Sequence, residues 1–207
     1  MNWIERLPEI KGKDLYSQNS EGLLLEYIFH HVNDHVKSCV DIGAGDGFLL
    51  SNTRHLENLG WTATHLDKIY GHNITLETVH DHIKPNDEIG LLSIDIDGND
   101  YWILEKILSA NIKPSVIIAE FNPAFIDARA IKYNPDHVWA GDDYYGFSFD
   151  AGVKLAERFG YKVIFQVADM NMIMVRADLV KGLYIPPVTF KQNDFFQKSN
   201  RTDWVMI

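Results

Sequence analysis

The chain has 207 residues, 46% of them hydrophobic and 12% aromatic, with a net charge of -10. It can bury one sizeable core, and its charge opposes broad phosphate-backbone binding, which needs Lys and Arg concentrated on a face. Cys39 is the single cysteine, residues 1–6 lack the apolar core of a signal peptide, and no apolar run approaches the roughly 20 residues of a membrane span. The expectation is one domain in the cytoplasm, with a small-molecule partner and neither nucleic acid nor membrane.

Residues 1–20 are turn-rich, with Pro8 and Gly12, and read as an arm over the body, which spans 21–185. Ser20 reads as the cap of a helix whose apolar face carries Leu24, Tyr27 and Ile28. His30, His31 and His35 follow at helical spacing but lack the further Cys or His ligands of a structural zinc site. Next comes Ser38-Cys39-Val40-Asp41-Ile42-Gly43-Ala44-Gly45-Asp46-Gly47, a strand entering a glycine-rich turn, followed by a helical stretch over 48–59. Such a turn lets a ligand approach the main chain. Asp67 closes the next strand, 61–66, about 20 residues on, where a ribose diol is held in nucleoside sites. A structural tight turn has the same spelling. Of nucleoside cofactors, NAD is disfavoured because Phe48 stands where the dinucleotide pattern needs a small residue.

The spelling Asp41-x-Gly43-x-Gly45-x-Gly47 resembles motif I of class I S-adenosylmethionine-dependent methyltransferases. The resemblance implies a cofactor site of Asp41, Gly43, Ala44, Gly45, Gly47, Asp67 and Asp95, with Asp41 near the methionine part and Asp67 on the ribose. In that fold a helix and a third strand precede the fourth. Here residues 68–74 lead directly to a helix predicted over 75–83 and capped by Thr75, so the adenine wall is shortened.

The stretch 88–123 organises the rest. Residues 89–94 and 116–119 are near-continuous apolar runs of strand length, read as parallel strands covered on both faces. A helix over 100–108 joins them, with Asp100 or Asn99 as its cap. Both strands end in acid, Asp95 and Asp97 on one and Glu120 followed by Asn122 on the other, at the sheet edge where open α/β sheets bind ligands. A hard cation or a positively charged ligand suits that edge. The long aromatic segment 121–145 is a substrate wall with Trp139, Tyr144 and Tyr145. A helix over 148–159, strands over 161–167 and 171–175 and a turn at 168–170 complete the body. The tail, 186–207, holds Phe190, Phe195, Phe196 and Trp204 and is expected to pack on the body or to build a homo-oligomer.

From about Ser38 to Val180 the motif order resembles the FkbM-like branch of that class, through Leu91-Leu92-Ser93-Ile94-Asp95-Ile96-Asp97-Gly98-Asn99-Asp100-Tyr101-Trp102, Ile118-Ala119-Glu120-Phe121-Asn122-Pro123, Tyr144-Tyr145-Gly146 and Gly160-Tyr161. The resemblance implies an α/β fold: a Rossmann-like class I methyltransferase three-layer sandwich, mostly parallel, with a C-terminal antiparallel hairpin, shortened between strands 2 and 4. It implies methyl transfer from S-adenosyl-L-methionine to oxygen on a small or sugar-like acceptor. Similarity to catechol-type members adds Mg²⁺ on Asp95, Glu120 and Asn122, with Asp97 as a fourth ligand. Asp95 and Glu120 read equally as helix caps or partners of the cofactor ammonium. Asp95 and Glu120 are the catalytic candidates with the metal; without it a base is needed, and His137 is the loop candidate. The rival reading is a degenerate fold with a binding or assembly role.

Overall fold

Strands with no polar face must be covered on both sides, and every residue of Leu91–Ile94 and Val116–Glu120 is buried. The structure, a computed structural model, describes residues 1–207. Its strands are β1 (Ser38–Ile42), β2 (Thr62–Leu66), β3 (Leu91–Ile94), β4 (Val116–Glu120), β5 (Arg129–Ala130), β6 (Tyr161–Val167), β7 (Asn171–Arg176) and β8 (Val205–Met206). Six of them form one sheet in the order β2-β1-β3-β4-β7-β6, with β5 and β8 paired separately. The first four are parallel, and β7 and β6 are antiparallel.

Helices α1 (Glu21–His31) and α2 (Arg54–Asn58), with the 3-10 turn Ile4–Glu9, cover one face. They share a 16-residue apolar cluster that includes Ile4, Leu7, Leu25, Ile28 and Leu56. On the other face α3 (Val79–His82), α4 (Asp100–Ser109) and α5 (Phe149–Arg158) bury a 27-residue cluster around Ile94, Ile107, Phe121 and Leu155. The result is the expected three-layer arrangement with an antiparallel hairpin at its end.

Two predicted helices are shorter than expected. In place of a helix over 48–59 only Arg54–Asn58 is helical. Asp46 Oδ1 accepts from the Phe48 and Leu49 N–H groups, and Leu50 takes φ +59, which halts helical propagation. Thr53 Oγ1 then donates to Asp41 at 2.9 Å, so the helix starts one residue later. In the 75–83 segment Thr75 Oγ1 accepts from Glu77 and Thr78 N–H in the manner of the expected cap, but regular helix covers only Val79–His82. Ser20 does not cap α1 as expected: it sits at φ 69 and its hydroxyl donates to the Gly12 carbonyl. His31 Nδ1 bonds the Tyr27 carbonyl while its ring stacks on Trp3.

The tail packs on its own chain. Phe190 meets Phe121 and Phe149, Phe196 meets Trp139 and Tyr145, and Trp204 meets Phe125 and Tyr144. No helix is long and apolar enough to cross a membrane.

Candidate functional site

Four parallel strands end on one rim, and the glycine turn after β1 sits against the turn after β3. Gly43 has φ +89, and a Cβ there would lie 1.6 Å from the Asp95 carbonyl oxygen, so only glycine allows the two turns to touch. Its N–H continues the ladder to the Leu66 carbonyl. Gly45 N–H donates to Asp67 Oδ2 at 2.9 Å, while Asp67 Oδ1 accepts from Ile69 N–H at 2.7 Å. Asp67 therefore clasps the glycine turn to the segment after β2. Ala44 is buried inside this turn, and Gly47 lies over the His65 ring.

Asp41 is behind the turn. It is buried, accepts from Thr53 Oγ1 and Ser51 Oγ, and anchors the segment entering α2. Burial raises its pKa.

A cavity of about 200 Å³ opens beside the turn, lined by Gly43, Asp67, Lys68, Asp95, Asp97 and His137 among others. Carboxylate oxygens of Asp95, Asp97 and Glu120 lie within 4.8 Å of one another, with Asp95 and Asp97 on the cavity wall and Glu120 buried beside them. Strand geometry does not extend to Asp97: β3 stops at Ile94 and Asp97 takes φ 52. Asp100 makes this turn, since its carboxylate accepts from Ile96 N–H and Gly98 N–H, both at 2.8 Å. It shapes the acidic turn from behind rather than capping α4 through its side chain. Asn122 is engaged elsewhere. Its amide donates to the Asp143 and Tyr145 carbonyls and its oxygen accepts from Ala124 N–H, which ties the aromatic segment to the end of β4.

Crowded, buried carboxylates hold protons. Desolvation first, then the charges of Asp100 and Asp97, push Asp95 up to about 7. Desolvation and then the Asp95 charge push Glu120 well above its ordinary 4.5, and a side-chain hydrogen bond joins the two. Burial likewise raises Asp97, and takes Asp100 to about 6. Glu120 Oε2 is buried without a hydrogen-bond partner. A buried, unpaired carboxylate oxygen is costly unless a cation or proton meets it.

His137 rests on Gly98, where a Cβ would lie 2.5 Å from the ring. Its Nε2 is buried with no partner, and burial lowers its pKa, leaving it neutral near pH 7. The Asp97 backbone lies beside the ring and partly offsets that lowering. His137 borders a second cavity as well, of about 310 Å³, shared with Val138, Asp142, Tyr144, Ser199 and Arg201.

Of the aromatic residues expected to form the substrate wall, Tyr144 lines that second cavity, beneath the Arg201 guanidinium. Tyr145 is buried, and desolvation with the Glu120 and Asp95 charges raises its phenol pKa, which sets it near the acidic cluster. Trp139 packs on Tyr145 and Phe196 and donates to the Asp142 carbonyl, so it supports the wall from outside the first cavity. Sequence reasoning missed Ser199 to Arg201 on the second cavity, because none belongs to a periodic or motif-bearing segment, while His72 and Asn73 of the 68–74 segment and Pro135 of the aromatic segment line the first.

A mostly parallel sheet between two helical layers, a glycine turn after β1 and an antiparallel C-terminal hairpin together make this a Rossmann-like three-layer α/β fold. No protein-family model matches the chain, and no curated protein matches it. Among solved structures it is similar to the citrinin polyketide synthase CMeT domain, with a TM-score of 0.41 and 12% identity over 76% of this chain. The chain spans about half, 51%, of that chain's length.

Proposed function

We propose that the chain is an S-adenosylmethionine-dependent O-methyltransferase for a small hydroxylated, sugar-like acceptor, assisted by a divalent metal. One arrangement carries the reading: a proton-holding Asp95, Asp97 and Glu120 cluster, with Glu120 Oε2 unpartnered, beside the cavity that Gly43 and Asp67 also line. The FkbM-like resemblance rests on the quoted motifs and supports the same chemistry.

Gly43, Gly45 and Gly47 leave the main chain open to the cofactor, and Asp67 accepts from the ribose hydroxyls, exchanging them for the Gly45 N–H it now holds. Asp41 acts indirectly, by anchoring the 51–53 segment. The three carboxylates suit Mg²⁺, a hard cation bound through oxygen, which would replace the proton they now share. When bound, Mg²⁺ supplies acidification of the acceptor hydroxyl and holds its oxygen in place. His137, neutral and with Nε2 unpartnered, takes the hydroxyl proton. The acceptor enters through the second cavity, past Tyr144, since His137 is common to both spaces. Tyr145 and Trp139 form the wall behind it.

Calorimetric titration with S-adenosylhomocysteine, with and without Mg²⁺, tests this. Saturable binding is expected, and no heat at millimolar ligand refutes the cofactor assignment. A second reading, a degenerate fold with a binding or assembly role, is favoured by one observation: both Asp67 oxygens are occupied and the cavity, about 200 Å³, is smaller than the roughly 300–1,000 Å³ of ordinary ligand clefts. The same titration separates the two.

A further inference from the structure

One edge of the sheet is unfinished. β2 pairs only with β1, and its register puts Thr62 N–H on the Lys37 carbonyl and the Leu66 carbonyl on Gly43 N–H. Thr62, Thr64 and Leu66 thus turn their backbone groups toward β1, and Ala63 and His65 turn theirs outward, because successive residues alternate. The next outward N–H, that of Asp67, is taken by His72 Nδ1 at 3.3 Å. Two N–H and two C=O groups remain on the open edge, at Ala63 and His65.

We propose that this edge pairs antiparallel with the same edge of a second copy, about a two-fold axis at Thr64. In that register Ala63 of each copy faces His65 of the other, and each pair exchanges both hydrogen bonds, so all four outward groups are satisfied. Thr64 meets its own symmetry mate as the close, non-hydrogen-bonded pair, a favourable threonine contact. Its side chain is exposed and open to that partner.

The segment around the edge is rich in exposed apolar side chains. Of the thirteen large apolar side chains exposed on the chain, six fall between 48 and 70: Phe48, Leu49, Leu50, Leu59, Ile69 and Tyr70. Exposed apolar side chains at this density along one segment favour association. β2 also lacks the devices that keep edges apart: it has no Lys, Asp, Glu or Pro and no bulge. The opposite edge has them, with a register shift between Val163 and Phe165, Lys162 within the strand, and Pro186 and Pro187 lying along Ile164 to Gln166.

Sedimentation velocity of the full chain from low to high micromolar concentration tests this, together with amide hydrogen exchange. The expected result is a species of twice 23.7 kDa. Ala63 and His65 amides should exchange at least about 10-fold more slowly in it than in the diluted chain, as paired amides do. Ala63→Pro removes an outward donor that bonds nothing within the chain, and Thr64→Lys places like charges across the axis. Both should sediment at 23.7 kDa and melt where the diluted wild-type chain melts. A 23.7 kDa species at every concentration overturns the proposal, as does a dimer whose Ala63 and His65 amides stay unprotected. The wild-type measurements stand even if a variant misfolds, and none depends on the chain's catalysis.

Discussion

Raising the pH should loosen this protein unless a cation is present, and Asp95→Asn should remove much of the effect. Asp95 titrates at 3.8 when unfolded and at about 7 in the fold, so the folded state binds the extra proton between those values. Stability from that proton is fully present below 3.8 and is lost as pH rises through about 7. At about 1.4 kcal/mol per pH unit the whole window is worth about 4 kcal/mol, of which about 2–3 kcal/mol falls between pH 5 and pH 8. For a chain of this length that lowers the melting temperature by about 5–10 °C. Asp95→Asn abolishes this titration and removes the charge that most raises Glu120 after burial itself, so its melting temperature should fall less over the same range. Mg²⁺ in excess should restore the wild type at pH 8, by about 2.7 kcal/mol at a hundredfold excess over its dissociation constant, and leave the variant nearly unmoved. Circular dichroism melts at pH 5 and pH 8, in EDTA or Mg²⁺, give all four comparisons. Equal pH slopes for wild type and Asp95→Asn would refute the shared-proton account of the cluster.

Gly43→Ala should cost about 3 kcal/mol in urea unfolding, because the new methyl meets the Asp95 carbonyl at a positive φ and the backbone must move. Asp67→Ala should weaken S-adenosylhomocysteine binding at least about 10-fold by calorimetry while costing about 1–2 kcal/mol of stability, since two backbone N–H groups lose their acceptor; unchanged affinity would remove Asp67 from the ribose site. His137→Gln should lower turnover about 100-fold and leave cofactor affinity within a factor of about two, measured by single-turnover methyl transfer and calorimetry. Tyr161→Phe should cost about 1–2 kcal/mol in urea unfolding, because the buried hydroxyl bonds the Pro114 carbonyl at 2.7 Å.

The parallel strands were legible because an apolar run without a polar face has one common solution, a strand covered on both sides. Leu91–Ile94 and Val116–Glu120 follow that rule, and their acidic ends arrive at one rim as expected. Helix lengths at 48–59 and 75–83 were not legible. At 48–50 the Asp46 side chain takes the Phe48 and Leu49 N–H groups and Leu50 turns left-handed, and a propensity pattern reports neither. The acidic cluster was found for a partly different reason from the one expected. Alternation along an extended strand predicts that Asp95 and Asp97 share a face, but a left-handed residue and the Asp100 clamp bring them together instead.

By itself, the sequence determined the order of elements, the layered class and which acids reach the sheet edge, since periodicity and chain connectivity are local properties. Tertiary structure decided which polar groups are already engaged: Asn122 in the aromatic segment, Asp41 beneath the turn, Asp67 across it. It also decided which are left without partners, Glu120 Oε2 and His137 Nε2, and that β2 is an open edge. Hydrogen-bond satisfaction depends on neighbours distant in the chain, and only packing brings them within reach.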